Sequence, residues 1–426
     1  MVIVLGVLGM TRFIFSPVIY ARSLCILVPL YRFVGGGVVT SRFGERFWGR
    51  WFFVLSLWVG AWCVIADIDT SQYIPIQTLV LAMCGAFAVS SAAAFYFLLE
   101  ASLIPIGFLV LVSGSRPERV KAVVYIIVFT LVGGAIHLVG LLFIFFRFGS
   151  LWWFSSDMLY SHPHFLYFWI ILIFFAFCVK APLYGVHFWL PKAHVEASTA
   201  GSIILAAIIL KLGIYGIYRY GMWVGFVDRW NRLIQVLGAV GGVTAAIASC
   251  RAPDVKSVIA YSSVSHISLC CRSILTQTVS GIKGALILAV AHGLSSRGLF
   301  AWAGATRVRF GTRSTFYFRG SRAWGLRVSL LFVTLFIFSC GIPPLVAFYS
   351  ELVVWWSLIS NMGIRVVVFL VISGVFGAIA YIFTYLKIVG QPTHKAHVFS
   401  ACHWLVGIAH VLPGLLLFIF PCTLIA

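Results

Sequence analysis

The sequence predicts an all-α polytopic membrane protein with about 14 transmembrane helices. Hydrophobic residues make up 62% of the 426-residue chain, its mean hydropathy is +1.07, and only 9% of its residues are charged. Soluble domains carry about 25% charged residues, so this chain has too little charge to cover a surface in water. Apolar runs of the roughly 20 residues that a spanning helix needs follow one another almost end to end.

The predicted helices are apolar segments separated by charged residues, proline or glycine. Two short segments fall within residues 1–35, where the apolar stretch contains Arg12 and no clear signal-peptide cleavage site follows. The later segments run without a hydrophilic stretch long enough to build a soluble domain. They cover residues 51–67, 76–97, 99–114, 121–146, 165–182, 196–220, 231–250, 255–275, 281–304, 328–358, 364–388 and 402–425.

Proline interrupts two of these regions in a similar way, at Pro182 and Pro191 and again at Pro343 and Pro344. Freed backbone groups inside a membrane must face protein or water. Each interruption is explained either by a simple kink or by a broken helix, which at corresponding positions of two halves marks the ion site of an inverted-repeat transporter. The second explanation predicts four parts: N-terminal helices in 1–75, a first repeat in 76–220, a second repeat in 231–388 and a C-terminal helix in 389–426.

Charge and cysteine usage exclude several function classes. The net charge of +20 would suggest nucleic-acid binding in a soluble protein. In a membrane protein, basic loops instead meet anionic lipid headgroups, and the loops 115–121 and 305–327 are expected on the cytoplasmic or matrix face. The ten cysteines form no C-x-x-C pair, and neither a Walker A motif nor a G-x-G-x-x-G fingerprint occurs. We therefore expect no metal, redox centre, nucleotide or other cofactor in this chain.

Four ionisable side chains lie inside apolar segments: Glu100, Lys180, Lys211 and Glu351. A charge at the bilayer centre costs roughly 2.5–3.5 kcal/mol, so these groups must pair, face water or be neutral. Lys180 and Glu351 are close enough to predicted helix ends to reach the interface instead. Lys211 has apolar residues for two turns on both sides and is too far from a predicted helix end to reach the interface.

Lysine and glutamate together are the minimum parts of a proton valve. A buried lysine loses affinity for its proton, and a nearby carboxylate restores it, so a pair that closes and opens takes up and releases protons. Histidine suits the links between such pairs, because its unperturbed pKa is about 6.5. The candidate links are His187, His194, His266 and His292, for each of which a structural role or haem ligation is the alternative.

Several long stretches carry a resemblance to a known family. "FYFLLEASLIP", "SRPERV", "VKAPLYGVHFWLPKAHVEAS", "AGSIILAAIILKLGIYG", "APDVKSVIAYSSVSHISL", "AHGLSSRGLF" and "GIPPLVAFYSE" lie between about residues 90 and 355. In these stretches the chain resembles the antiporter-like membrane-arm subunits of the respiratory NADH:ubiquinone oxidoreductase (complex I), in particular the subunit 4 group. Residues before 90 and the last part of the chain resemble that group little beyond their hydropathy.

The resemblance implies a fold of 14 helices with two inverted five-helix repeats and broken helices. It implies that Glu100 and Lys180 are partners, that Lys211 is the central lysine of a broken helix, and that Glu351 is the terminal acid of a second broken helix. The four histidines would line the hydrated axis between these groups. Such subunits bind neither quinone, NADH nor redox centres, so a proton-translocating subunit, part of a translocase, is expected.

Three residues depart from the family pattern: Ser198 replaces a proline, Ile214 a glycine, and Arg297 adds a charge near His292. The expected partners are neighbouring antiporter-like subunits and membrane lipids, in the mitochondrial inner membrane or a bacterial plasma membrane. Other readings are a subunit of a multi-component sodium/proton antiporter, a structural membrane subunit that pumps nothing, and a haem-bearing membrane oxidase.

Overall fold

A computed structural model describes residues 43–66, 70–112, 117–153, 163–224, 228–310, 314, 326–343 and 345–389. The segments predicted within 1–35 and at 402–425, and most of the loop 305–327, lie outside these residues. Within the described ranges the chain is almost entirely helical, and its only β-structure is a pair of isolated bridges.

Fifteen α-helices follow one another along the described chain, with a 3-10 turn at Thr70–Gln72 and a π-helical turn at Leu205–Ile209. They are α1 (Phe43–Ala66), α2 (Tyr73–Ala88), α3 (Ala92–Ala101), α4 (Leu103–Val112), α5 (Glu118–Phe148), α6 (Pro163–Lys180), α7 (Trp189–Glu196), α8 (Thr199–Ile204), α9 (Leu210–Val224), α10 (Asp228–Arg251), α11 (Val255–Ile274), α12 (Val279–Phe310), α13 (Leu326–Ser339), α14 (Val346–Met362) and α15 (Val366–Val389).

The described helices include membrane-spanning candidates of the predicted kind. By length and composition, six stretches are able to cross a bilayer: Ala92–Val112, Glu118–Phe148, Thr199–Trp223, Trp230–Arg251, Val279–Arg307 and Val366–Lys387. Two shorter apolar helices, Tyr73–Ala88 and Phe168–Lys180, add to them. The all-α membrane class is thereby confirmed, whereas the total of about 14 spans stays a prediction because both ends of the chain lie outside the described residues.

Two compact units make up the chain. The first comprises the described residues of Met1–Lys180 and Glu196–Val227, and the second those of Ala181–Val195 and Asp228–Ala426. In the first unit, α5 packs against α6, and α9 packs against α6. In the second unit, α10 packs against α11 and α15, and α12 packs against α11 and α14.

Several predicted segment bounds differ from the observed helices. The boundary expected between 97 and 99 lies at Val89–Ser91, where Ala92 N donates to Leu151 O over 2.9 Å and Trp153 N donates to Ser90 O over 3.1 Å. Helices α3 and α4 meet at Ser102, whose hydroxyl donates to the Leu99 carbonyl over 2.6 Å. Glu100 therefore lies in the middle of one span, Ala92–Val112.

The segment 328–358, predicted to be kinked or broken at Pro343 and Pro344, is broken rather than kinked. Helix α13 ends at Ser339 and α14 begins at Val346, so two helices occupy the segment. Between them Gly341 adopts a left-handed φ of +61°, a conformation that costs other residues roughly 1–2 kcal/mol. Helix α1 also differs from its prediction, since it begins at Phe43 rather than at residue 51 and so includes Arg46 and Arg50.

Aromatic side chains form the core of the first unit. Phe95, Phe177 and Tyr220 are almost completely buried, with the Phe177 and Tyr220 ring centroids 5.0 Å apart and those of Phe95 and Phe177 6.2 Å apart. Gly216 on α9 faces the Phe177 ring so closely that a Cβ there would overlap its edge carbons. Close packing of α6 on α9 therefore depends on glycine at this position.

Replacing Gly216 with alanine is expected to destabilise the assembled protein by about 1–3 kcal/mol, the usual cost of overpacking a core. Thermal unfolding of the purified assembly measures this loss. Gly107→Ala is the matched control in the same unit, because the nearest atom to its added Cβ would be Val123 Cγ1 at 3.8 Å. Equal melting temperatures for the two variants would show that the α6–α9 contact does not need the glycine.

Candidate functional site

Glu100 and Lys180 form a buried ion pair in the first unit. The Lys180 ammonium lies 3.2 Å from Glu100 Oε1, and their side chains are 5% and 16% exposed. Helix α3 supplies the glutamate, and the last residue of α6 supplies the lysine. Lys180 therefore does not extend to an aqueous interface as a lone charge, because its charge is compensated by a carboxylate within hydrogen-bonding distance.

A glycine makes room for the carboxylate of this pair. A Cβ added to Gly134 on α5 would lie 2.7 Å from Glu100 Oε1 and 2.8 Å from its carboxyl carbon. Any larger residue would push the carboxyl group away from the surface of α5. The position of Glu100 is therefore set by α5 as well as by its own helix.

Lys211 is completely buried immediately after the π-helical turn of the α8–α9 span. Its ammonium donates to the carbonyl oxygen of Ala206, five residues earlier, over 2.5 Å. A π turn shifts backbone hydrogen bonds to i→i+5 spacing and is frequent at functional sites. The broken helix that the resemblance implies around Lys211 thus takes the form of a π turn inside a continuous span.

Ser198, where the family has proline, begins this span. Its hydroxyl accepts a hydrogen bond from Gly201 N over 2.9 Å and serves as the N-cap of α8. The serine therefore keeps a defined helix start although it departs from the family pattern. Ile214, the second departure, is completely buried on α9.

Glu351 has a basic partner in the second unit. His266 Nδ1 lies 3.4 Å from Glu351 Oε1, and the ring centroids of His266 and His292 are 5.4 Å apart. Helices α11, α12 and α14 contribute one residue each. Two of the predicted histidine links therefore lie together with the predicted terminal acid.

Glu351 also lies against a glycine. A Cβ on Gly341 would be 2.8 Å from Glu351 Oε2, and the left-handed φ of this glycine places its backbone beside the carboxylate. The second unit thus repeats the arrangement of the first, in which Gly134 lies beside Glu100. In both units, a larger residue in place of the glycine would displace the acid.

A small polar cavity adjoins Glu351 and His266. Its volume is about 50 Å³, which is enough to hold water. Tyr381, among its lining residues, shares a hydrogen bond of 2.6 Å with Ser262. The other polar groups that line it are Ser265, Ser339, Cys340 and Ser373.

The other two candidate histidines lie against aromatic rings, also in the second unit. His187 lies between α6 and α7, with its ring centroid 4.5 Å from that of Phe188 and 5.8 Å from that of Tyr184. His194 on α7 is completely buried and stacks on Phe300, with centroids 4.5 Å apart and planes inclined by 10°. Arg297, the third departure from the family pattern, is also completely buried on α12.

One buried histidine was absent from the candidates. His137 on α5 is 1% exposed, and its Nε2 is 2.9 Å from the Tyr220 hydroxyl. The signal available in the sequence was its spacing, since it follows Gly134 by three residues and therefore lies on the same face of α5. The contribution of Gly134 itself is visible only in the folded chain.

More than half of the chain matches a known protein family. Residues 90–377 match the family described as "NADH:quinone oxidoreductase/Mrp antiporter, TM". NADH-ubiquinone oxidoreductase chain 4 of Locusta migratoria is 34% identical over 74% of this chain and 72% of its own length. The chain 4 protein of Struthio camelus is 32% identical over 86% of this chain and 84% of its own length.

Solved structures share the fold at lower sequence identity. A chain of respiratory complex I from Thermus thermophilus superposes with a TM-score of 0.86 at 21% identity, covering 97% of this chain and 94% of that one. A chain of the Mrp complex from Dietzia sp. DQ12-45-1b gives a TM-score of 0.76 at 18% identity, covering 94% and 78%. With its matched region and its chain 4 relatives taken together, the protein belongs to the NADH:quinone oxidoreductase/Mrp antiporter family of membrane subunits.

Proposed function

We propose that this chain is the subunit 4-type, proton-translocating membrane-arm subunit of complex I. The observation that carries the proposal is the buried ion pair between Glu100 and Lys180, with Nζ and Oε1 3.2 Å apart in the middle of the bilayer-length span Ala92–Val112. A buried pair is weak as a device for stability, because desolvation offsets much of its attraction. Proton exchange would explain why an ion pair lies inside a membrane span.

Proton exchange at this pair follows from its electrostatics. While the carboxylate touches the ammonium, the lysine keeps its proton. When the two groups separate, burial disfavours the lone ammonium and favours release of the proton. Lys180 thereby becomes a proton donor whose state depends on the distance to Glu100.

Lys211 supplies the next proton-binding group within the first unit. As an ammonium it donates to the Ala206 carbonyl, and as a neutral amine it loses part of this interaction. The carbonyl is a fixed dipole that stabilises the charged form without carrying a compensating charge. Burial favours release of the proton and the carbonyl favours its retention, so Lys211 is proposed as a group that takes up and releases a proton.

In the second unit, the proposed relay passes along His292, His266 and Glu351. Ring nitrogens of histidine accept and donate protons near neutral pH, and the Glu351 carboxylate lies 3.4 Å from His266 Nδ1. The cavity beside Glu351 has room for water, which provides the mobile link to the next group. His187 and His194 stay proposed links of the same axis.

The whole subunit is proposed to have 14 helices with two inverted five-helix repeats, in the mitochondrial inner membrane. Its partners are neighbouring antiporter-like subunits and membrane lipids. It contributes the translocase part of an NADH:ubiquinone reductase and carries no cofactor, since redox chemistry elsewhere in the complex drives it. Chain 4 relatives such as that of Locusta migratoria support this assignment.

A subunit of a multi-component sodium/proton antiporter is the second candidate, favoured by the likeness to the Mrp complex chain. The purified assembly separates the two candidates. NADH oxidation coupled to proton uptake supports the complex I subunit, whereas sodium-dependent proton exchange without an NADH-oxidising arm supports the antiporter.

Lys211→Met is expected to lower proton pumping by the assembled complex at least tenfold, because a positioned proton-transfer group contributes roughly 10²-fold or more. Pumping into sealed vesicles and coupled quinone reduction measure the loss. Lys211→Arg separates relay from structure, since arginine keeps the charge and the donor but does not release its proton. Recovery of pumping in the arginine variant would contradict the relay. Lys283→Met, at an exposed position of α12, is the control expected to pump normally.

Glu100→Gln and Lys180→Met are expected to lower pumping individually and to cost less together than the sum of the two single losses. Each single change leaves the other residue of the pair without its opposite charge. Once the pair is broken, the second change therefore adds little. The measurement is a double-mutant cycle on pumping rates at equal levels of assembled complex. Strict additivity would mean that the two residues do not act as a pair.

Gly341→Ala is expected to lower stability by about 1–2 kcal/mol through its left-handed φ and also to impair pumping by displacing Glu351 from His266. Gly149→Ala is the matched control, because Gly149 is left-handed with a φ of +69° and a Cβ there meets nothing within 4 Å. Melting temperature and pumping rate are measured for both variants. If the two lose stability and pumping alike, Gly341 matters only for the backbone.

A further inference from the structure

A buried histidine–tyrosine pair adjoins the ion pair of the first unit. His137 Nε2 on α5 and the Tyr220 hydroxyl on α9 are 2.9 Å apart, and the two residues are 1% and 0% exposed. Burying two polar side chains is costly unless they bond to each other or to other groups. The pair is thus a specific feature of the interior, and neither residue is among the groups assigned to proton transfer above.

Three helices bring His137 to the Glu100–Lys180 site. On α5, His137 follows by one turn Gly134, whose α-carbon lies against the Glu100 carboxylate. On α6, Phe177 precedes Lys180 by one turn and packs edge-on against the imidazole with centroids 4.9 Å apart. On α3, Tyr96 precedes Glu100 by one turn and packs against the same ring at 5.2 Å. The imidazole therefore lies one helical turn from both members of the ion pair.

The charged and titratable groups around His137 come from each of these elements. Tyr96 packs against it from α3 and Tyr220 bonds to it from α9. The Lys180 charge on α6 acts on the imidazole through space, and Glu100 is the carboxylate paired with that lysine. The preceding residue on α9, Arg219, has its guanidinium 4.9 Å from the centroid of the Trp153 ring. Among the residues in direct contact with the imidazole, Tyr220 is the one to which it is hydrogen-bonded.

We propose that His137 is a second proton-binding base of the Glu100–Lys180 site, held in place by Tyr220 and alternating with Lys180 as the holder of one proton. This inference rests on the proposed proton-translocating function and deepens it. One buried carboxylate compensates one cation, so the site favours a single proton shared between two bases over two protonated bases.

The transfer balances in charge and protons. When Glu100 and Lys180 separate, the Lys180 ammonium gives its proton to the imidazole, directly or through water, leaving a neutral amine and an imidazolium. The imidazolium donates an Nε2–H hydrogen bond to the Tyr220 oxygen, which stabilises the charged ring. Return of the proton to Lys180 restores the starting state, and no group outside the site is consumed.

His137→Gln tests the proposal in the assembled complex. Glutamine keeps a side chain of similar reach that is able to bond to Tyr220, but it does not bind a proton near neutral pH. We expect pumping to fall about tenfold or more and the pH midpoint of pumping to move, because the site loses one of its two bases. Tyr220→Phe is expected to retain pumping at a reduced rate with a shifted midpoint. Tyr218→Phe, a buried tyrosine two residues away on α9, is the control expected to keep the wild-type profile.

The measured profiles decide the outcome. An unchanged pumping rate and pH profile in His137→Gln would overturn the proposal and leave His137 as a packing residue. If His137→Gln does not assemble, Tyr220→Phe decides, and an unchanged pH profile in that variant overturns the proposal. Loss of pumping in Lys211→Met with normal pumping in His137→Gln rejects only the role of His137, whereas normal pumping in both rejects the relay itself.

Discussion

The cost of placing an ionised side chain where no water surrounds it governs the rest of this structure. Three charges at the candidate site each lie against a group of a particular kind. Lys180 has the Glu100 carboxylate, Lys211 has the Ala206 carbonyl, and Glu351 has the His266 imidazole. These partners differ in charge, so the same cost is met with different strengths of compensation.

Backbone geometry contributes as much as side chains to these sites. Gly134 and Gly341 lie against Glu100 and Glu351, and a Cβ at either position would come within 2.8 Å of a carboxylate oxygen. The π turn before Lys211 places the Ala206 carbonyl within reach of its ammonium. Glycines thus position the two acids, and a π turn positions the lysine. Such local irregularities of the backbone are common at functional sites.

The two units place different basic side chains beside their buried acids. In the first unit a lysine faces the acid, and the His137–Tyr220 pair packs one turn away. In the second unit His266 faces the acid, the His292 ring centroid is 5.4 Å from that of His266, and a cavity with several hydroxyl groups in its lining adjoins His266 and Glu351. Lysine holds its proton more tightly than histidine in water, so the two units start from different intrinsic proton affinities. In the proposed relay, this difference gives each unit its own threshold for proton release.

Composition by itself determined the membrane class and marked Glu100, Lys180, Lys211 and Glu351, because a charge in an apolar run is visible without any coordinates. The quoted motifs were sufficient to indicate the family. The resemblance implied the partnership of Glu100 with Lys180, which the structure contains. Tertiary structure alone decided that His266 lies against Glu351, because these residues are far apart in the chain. It also decided the helix break at Val89–Ser91, the division of 328–358 into two helices, and the burial of His137 against Tyr220. Hydropathy indicates whether a segment is apolar enough to lie in lipid. It does not indicate which faces of the helices pack together. The role of a glycine or a π turn depends on the side chain that lies beside it in the folded chain.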